Sequence, residues 1–566
     1  MTNEMSRLFY RGVLFLAAVL ALPASQVVSE TAGPTAKRYV EAVRSFADTI
    51  LNHGRDVYGK EKTPLFVDGL NAETLAPVKW ECRGQTWVLS NFASQQPFVR
   101  LLDGLTGITG EEKYRRAAEE ATRYALAHLQ SPSGLLYWGG HTAWDLEGDR
   151  VVSQYPNGNV HEFKNHLPYY RLMWKVDSVS ARRLMEMVWG GHIISWELLD
   201  YNRHANAEKK IQPQWDSEFD EDIEVPFATN GNNLSFCNVT PSLMHSGVML
   251  SVLDRNEDVL LWTRRLIYRW QQGRDPKTGL CGGQLSYRKN DRAQTALGHV
   301  HPTINEAKIV GCYHQSSRYH LLPLAQMQAG ETLMAASGKY AEVGREFIRW
   351  ASEDLKVYGR YCYDVEKGVF IAVMTDGTPI KWQSTNKGYY IPESFAPLKG
   401  DGFVIWGYAM AYRLTGEEAH WQMLRRLFVR SGLGELGPAD GSERALRFDT
   451  DNSDWRIIYA LLELYSATKD KAMLRLACSV ADNLLKMQSK SGLFPRAGRE
   501  YARTGDDIPL AILHLGGAIE GKRMLLPAAI LDRRFFHCEY HGKLEEHQKK
   551  RDDERTYDHY VFYGLD

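Results

Sequence analysis

The chain has 566 residues, of which 44% are apolar and 11% aromatic, ample material for a sizeable buried core. A net charge of −1 provides no bulk field for nucleic acid or for a membrane surface, so affinity for an acidic ligand must come from a local cluster. The seven cysteines, Cys82, Cys237, Cys281, Cys312, Cys362, Cys478 and Cys538, lack the close pairing of a disulfide framework or of a CxxC zinc site.

Residues 1–25 read as a secretory signal: Arg7 and Arg11 precede an apolar run from Gly12 to Leu22, which is too short to span a bilayer. The mature protein is therefore expected in the periplasm or outside the cell, with no membrane attachment. Residues 26–540 read as one helical catalytic domain and 541–566 as a charged, solvated tail.

Within the domain one layout recurs: a helix, a short turn with a small or charged residue, a second helix, then a Gly-containing loop. It runs from Phe98 to Tyr137, from Met249 to Leu280, from Gly402 to Leu433 and from Trp455 to Phe494, with a looser member from Glu331 to Phe370. Tyr114, Ala117, Ala118, Ala121, Tyr124, Ala125 and Leu129 form one apolar stripe at i+3 and i+4 spacing, and Met473, Leu474, Ala477, Val480, Ala481, Leu484 and Leu485 form another. Such hairpins bury their stripes by stacking on neighbours. Irregular lengths and long loops favour a closed ring over an open solenoid. The expected fold is an all-α (α/α) barrel with short strands in its loops.

Between the first two hairpins lie His141, which follows Tyr137-Trp138-Gly139-Gly140, then Glu162 in Gly158-Asn159-Val160-His161-Glu162, and Arg203-His204 after Asp200-Tyr201-Asn202. Two imidazoles and a carboxylate make a three-ligand metal site with open positions. An adjacent arginine would sit where an anionic substrate meets the metal. Glu162 is expected to open a helix over 161–176, and Arg203-His204 to end a helix starting near Ala181. The acidic segment 212–239 is expected to pack over the barrel mouth. Lys164, His166 and Tyr169, with the loop-borne Arg288 and Lys289, are candidate substrate contacts. His537-Cys538, His541 and His547 lack proper ligand spacing.

The separations are what carry a family resemblance. His141 and Glu162 lie 21 positions apart, Glu162 and His204 lie 42 apart, and Arg203 immediately precedes His204. This resembles family two of the polysaccharide lyases, the periplasmic pectate lyases. The resemblance implies an (α/α)7 barrel and a divalent transition metal on His141, Glu162 and His204, typically manganese, with nickel, cobalt or zinc as other fits. It also implies Arg203 as general base, with an acidic polysaccharide or oligogalacturonide cleaved by β-elimination. A monomer is expected. Two readings stay open: an (α/α)-barrel glycoside hydrolase acting on uronides through carboxylates such as Asp145, Asp216, Asp220 or Asp401, and a non-catalytic pectin- or glycan-binding protein.

Overall fold

The computed structural model describes residues 36–532, apart from 83–84, 154–159, 230–233, 290–297, 300, 312–320, 382–394 and 496–499. The signal segment, the charged tail and the His537–His547 cluster lie outside these residues, as does the side chain of Cys82 and all of Cys312 and Cys538. Cys237, Cys281, Cys362 and Cys478 are buried.

Fourteen helices stand among the described residues: α1 (Ala36–His53), α2 (Gln96–Thr109), α3 (Glu112–His128), α4 (Tyr170–Val176), α5 (Ser178–His192), α6 (Thr240–Asp254), α7 (Glu257–Gln272), α8 (Leu321–Met334), α9 (Gly338–Cys362), α10 (Gly402–Thr415), α11 (Glu418–Arg430), α12 (Trp455–Thr468), α13 (Lys471–Leu485) and α14 (Ile508–Ile519). The expected stripes are the buried faces of α3 and α13, with Tyr124, Leu474 and Leu485 half-buried at their edges. These helices form the outer ring. By contrast, α6, α10 and α14 are buried almost all round, the mark of a helix enclosed by others. The even-numbered helices pack side by side into an inner ring, α4 joining α2 through Arg100 Nη2 donating to the Leu167 carbonyl at 2.8 Å and the Tyr169 amide donating to Gln96 Oε1 at 2.8 Å.

The ring closes on itself. Helix α1 packs against α14 and α2, making the last and first helices the seventh hairpin. Tyr39 on α1 donates to Asp482 Oδ1 on α13 at 2.9 Å, and strand Gly69–Asn71 pairs antiparallel with Tyr501–Arg503. The turns follow capping chemistry: Asn256 and Asp470 cap α7 and α13 through their side chains, while α2 and α10 end on the left-handed Gly110 and Gly416. The short strands lie in the long connections, as expected. No helix among the described residues is long and apolar enough to cross a membrane.

The 212–239 segment departs from expectation. Trp215 packs against Trp189 at a tilt of 58°, Trp196 lies between Trp215 and Trp262, and Arg265 and Arg269 cover Phe219. Trp215 and Phe219 therefore bind the first part of the segment to the outer helices α5 and α7, whereas Phe236 near its end lies beneath the Arg203 guanidinium, 5.5 Å away. Between them, Phe227–Thr229 pairs in parallel with Ser286–Arg288.

Several buried imidazoles are held neutral: burial pushes His245 and His514 on the inner ring down to about 3, and His420 on α11 down to about 4. Folded pKa values below the unfolded reference of about 6.5 mean that their contribution is complete above that pH and is lost as pH falls towards the folded values. Thermal melts are expected to give a Tm that is flat between about pH 7 and 8 and falls steadily below about pH 6. A Tm that holds or rises through that acid range contradicts the assignment.

Candidate metal centre and active site

Two strands and one glycine turn build the site. Val160–Glu162 pairs antiparallel with His204–Asn206 in a register that sets Glu162 directly opposite His204, so both side chains leave the same face. The sequence expectation of helices at these positions is corrected here. Pro168 drives the residues before it away from helical backbone, and α4 starts only at Tyr170. Helix α5 ends at His192, where the β-branched pair Ile193-Ile194 turns into the hairpin Ile193–Ser195 with Asp200–Tyr201. Glu162 and His204 thus sit on strand positions, and strand pairing rather than helix ends aligns them.

The third segment enters beside them. Trp138 is fully buried and stacks on Phe92, with ring centroids 6.0 Å apart. Asn91 brackets the next residue, accepting from the Gly139 amide at 3.1 Å and donating to its carbonyl at 2.9 Å. Gly139 holds a φ of 93° and bridges in parallel to Glu162. A Cβ on Gly140 would lie 2.2 Å from Glu162 Oε2, so the carboxylate rests against a bare α-carbon. Gly140→Ala is expected to leave the circular dichroism spectrum unchanged and to weaken binding of a divalent ion at least roughly tenfold by displacing that carboxylate. Unaltered affinity by calorimetry would mean that the glycine has no part in the site.

All the charged groups converge on Glu162. Its Oε2 lies 3.0 Å from His141 Nε2. Its Oε1 lies 2.6 Å from Lys164 Nζ, 3.2 Å from Arg203 Nε and 3.4 Å from His204 Nε2. The two imidazole Nε2 atoms are 3.3 Å apart. One donor atom each from His141, Glu162 and His204 falls within a 4.8 Å span. Atoms bound roughly 2.1 Å from a common ion at near-tetrahedral or octahedral angles are themselves separated by about 3–3.4 Å, so these three residues fit a divalent ion as they stand. Burial pushes the His204 imidazole down, towards the neutral form that binds metal, with Arg203 and His141 adding to the effect against the pull of Glu162.

The cluster has a sealed side and an open side. The side chains of Glu162, His141 and Lys164 are 2%, 6% and 6% accessible, against 22% for Arg203 and 34% for His204, so a substrate meets Arg203 and His204 first. One carboxylate facing a lysine, an arginine and two imidazoles leaves a local excess of positive charge, which a bound dication would raise further. This is the local anion-binding field that the overall charge of the chain does not supply.

The other sequence candidates are placed as follows. Lys164, taken as a substrate contact, lies against Glu162; once 160–162 is a strand, the i, i+2 spacing puts both on one face. His166 is buried, with Nδ1 3.0 Å from Asp532 Oδ1. Tyr169 donates to Asp103 Oδ2 on α2 at 2.6 Å beneath the Arg100 guanidinium. Arg288 lies on the strand paired with Phe227–Thr229, and Lys289 follows it exposed. Sequence reasoning missed Gly140, whose role needs the packed position of Glu162, and His192, which lies in an unremarkable helix end.

A family model described as periplasmic pectate lyase matches residues 63–539. A pectate disaccharide-lyase of Dickeya dadantii (strain 3937) is 27% identical over 538 residues, covering 89% of this chain and 93% of that protein. Among solved structures, a sugar epimerase from a ruminal bacterium aligns over 86% of this chain and 99% of its own at 10% identity with a TM-score of 0.42. Cellobiose 2-epimerase from Bacillus thermoamylovorans B4167 aligns over 86% and 100% at 10% identity with a TM-score of 0.40.

Proposed function

This chain belongs to the periplasmic pectate lyase family and is a polysaccharide lyase, and on that premise we propose that it cleaves polygalacturonate by metal-dependent β-elimination after export to the periplasm. The observation that carries the reading is the convergence of His141, His204 and Arg203 on one buried carboxylate, Glu162.

Elimination removes the C5 proton of a galacturonate and breaks the C4–O4 bond. A divalent ion held by His141, Glu162 and His204 would supply Lewis-acid withdrawal of charge from the uronate carboxylate. Two imidazoles and one carboxylate suit manganese, nickel, cobalt or zinc better than calcium or magnesium, and manganese is the proposed occupant. The chain's own residues do the rest. Arg203, at the accessible edge, takes the C5 proton as base. Its reference pKa lies above about 12, so it serves only with its guanidinium neutral, a state favoured by cationic charge and partial desolvation nearby. Lys164 shares Glu162 Oε1 with Arg203 and supplies part of that charge. Glu162 orients both cations and fixes the two strands to one another.

The hydrolase alternative finds its carboxylates otherwise engaged. Asp145 Oδ1 accepts from the Val88 and Glu147 amides at 3.2 Å each, and Asp401 caps α10 by accepting from the Val404 amide at 3.1 Å. Asp216 is exposed on the segment bound to the outer helices. Incubation with polygalacturonate is expected to raise the ultraviolet absorbance of unsaturated product, with chelator abolishing the rise and manganese restoring it. No absorbance change on any uronide polymer would sink the reading, and chelator-resistant cleavage would sink its metal dependence.

A further inference from the structure

Beneath the ligand set runs a line of hydrogen bonds whose direction is fixed by chemistry alone. The Trp138 indole Nε1 reaches His161 Nε2 at 3.2 Å, His161 Nδ1 reaches His192 Nε2 at 3.0 Å, and His192 Nδ1 reaches the Asn202 carbonyl at 2.7 Å. An indole N–H can only donate and a carbonyl can only accept. His161 must therefore accept at Nε2 and donate from Nδ1, and His192 must do the same. Each ring is confined to the neutral Nδ1–H tautomer, because a second proton on either would face another N–H. Trp138, His161 and His192 are at most 1% exposed, so water does not substitute for these partners.

The line touches every segment that carries a ligand. Trp138 begins the Gly139-Gly140 turn that delivers His141, and His161 precedes Glu162 on its strand. Asn202 precedes Arg203-His204. Asn202 is pinned at three atoms: its amide donates to the His192 carbonyl at 2.9 Å, its carbonyl accepts from His192 Nδ1, and its Oδ1 accepts from the His204 amide at 3.2 Å. The plane of the 202–203 peptide, and with it the start of the Arg203 side chain, is set by the last bond of the line. Phe163 backs the arrangement, stacking on His192 at an interplanar angle of 10°.

We infer that Trp138, His161, His192 and Asn202 form a tautomer-locked positioning relay that holds the three ligand-bearing segments in register for metal binding and for Arg203. These are positioning residues, acting through His141, Glu162, Arg203 and His204. The relay's effect on affinity rests on the metal reading given above, whereas its tautomeric order does not.

The test uses the full mature chain with manganese alone as probe. His192→Phe keeps the stacking on Phe163 and breaks the line. It is expected to weaken manganese binding about 10–100-fold by calorimetry, the range seen when groups behind metal ligands are removed. His192→Gln can accept from His161 and donate to Asn202, and is expected to recover most of that loss at equal thermal stability. Equal affinity in His192→Phe and the parent overturns the relay's role, as does a Gln variant no better than Phe. Should His192→Phe not fold, Trp138→Phe decides: it removes the first donor together with part of the buried ring, and unchanged affinity overturns the inference. Nitrogen-15 imidazole spectra, assigned by these variants, are expected to show both rings as Nδ1–H tautomers at neutral pH, with or without metal. An Nε2–H or protonated ring overturns the relay. A parent that binds no manganese yet shows both Nδ1–H rings removes the metal reading and leaves the relay's order standing.

Discussion

Glu162→Gln is expected to lower kcat/KM on polygalacturonate by about 10³-fold, the equivalent of roughly 4 kcal/mol of lost charge stabilisation when a catalytic metal is no longer held. The substitution keeps the shape of the side chain but removes the one anion on which Lys164, Arg203, His141 and His204 converge. It therefore has a second consequence in the metal-free protein. Lys164, with its side chain only 6% accessible, loses the carboxylate 2.6 Å from its Nζ, and breaking a buried pair from one side costs about 3 kcal/mol. The metal-free variant is expected to melt below the metal-free parent. Adding Lys164→Met to Glu162→Gln removes the other half of the broken pair as well, so the double variant is expected to regain part of the melting temperature while remaining inactive. Activity within tenfold of the parent in Glu162→Gln would show that the carboxylate is not a ligand. Failure of the double variant to regain stability would show that Lys164 finds its partner elsewhere.

Much of the architecture was legible because helices in a double ring announce themselves by period. The stripes of α3 and α13 face one way only, and the residues assigned to them are the buried ones. The inner helices were harder to read, since α6 and α14 are buried on nearly every side and have no single stripe to find. Helix α4, seven residues long, is too short for a periodic signal. At the site the residue identities were legible but their setting was not. A helix was expected across 161–176, yet Pro168 and the pairing of Val160–Glu162 with His204–Asn206 make the first part extended. That error concealed the alternation that places Lys164 beside Glu162. The relay was illegible for a different reason. His161 and His192 stand 31 positions apart on a strand and a helix end, and only tertiary packing joins them. The 212–239 segment shows the reverse case, in which polarity suggested a cover for the mouth while Trp215 and Phe219 decided where its first part binds.

Arg203→Ala is expected to reduce kcat by about 10²–10⁴-fold, the range of a positioned general base, while manganese binding is kept or tightened. The second half of that expectation follows from geometry. Arg203 Nε stands 3.2 Å from Glu162 Oε1 and 3.3 Å from His204 Nε2, so a cation beside two ligands opposes a dication there, and its removal relieves that repulsion. A fall in kcat caused by metal loss would therefore carry the opposite calorimetric signature. Arg203→Lys separates the two roles open to the guanidinium. As a base, lysine titrates roughly two units below arginine, so the basic limb of the kcat profile moves to lower pH. As a carboxylate clamp, arginine offers a planar two-pronged fork that an ammonium cannot reproduce, so KM rises and the profile stays in place. The assay is the appearance of unsaturated product across a pH series at saturating manganese. An Arg203→Ala variant with kcat within tenfold of the parent excludes proton transfer by this residue. An unmoved profile with a raised KM in Arg203→Lys assigns Arg203 to holding the uronate, and the base must then be sought among the groups that share the open edge of the site with His204.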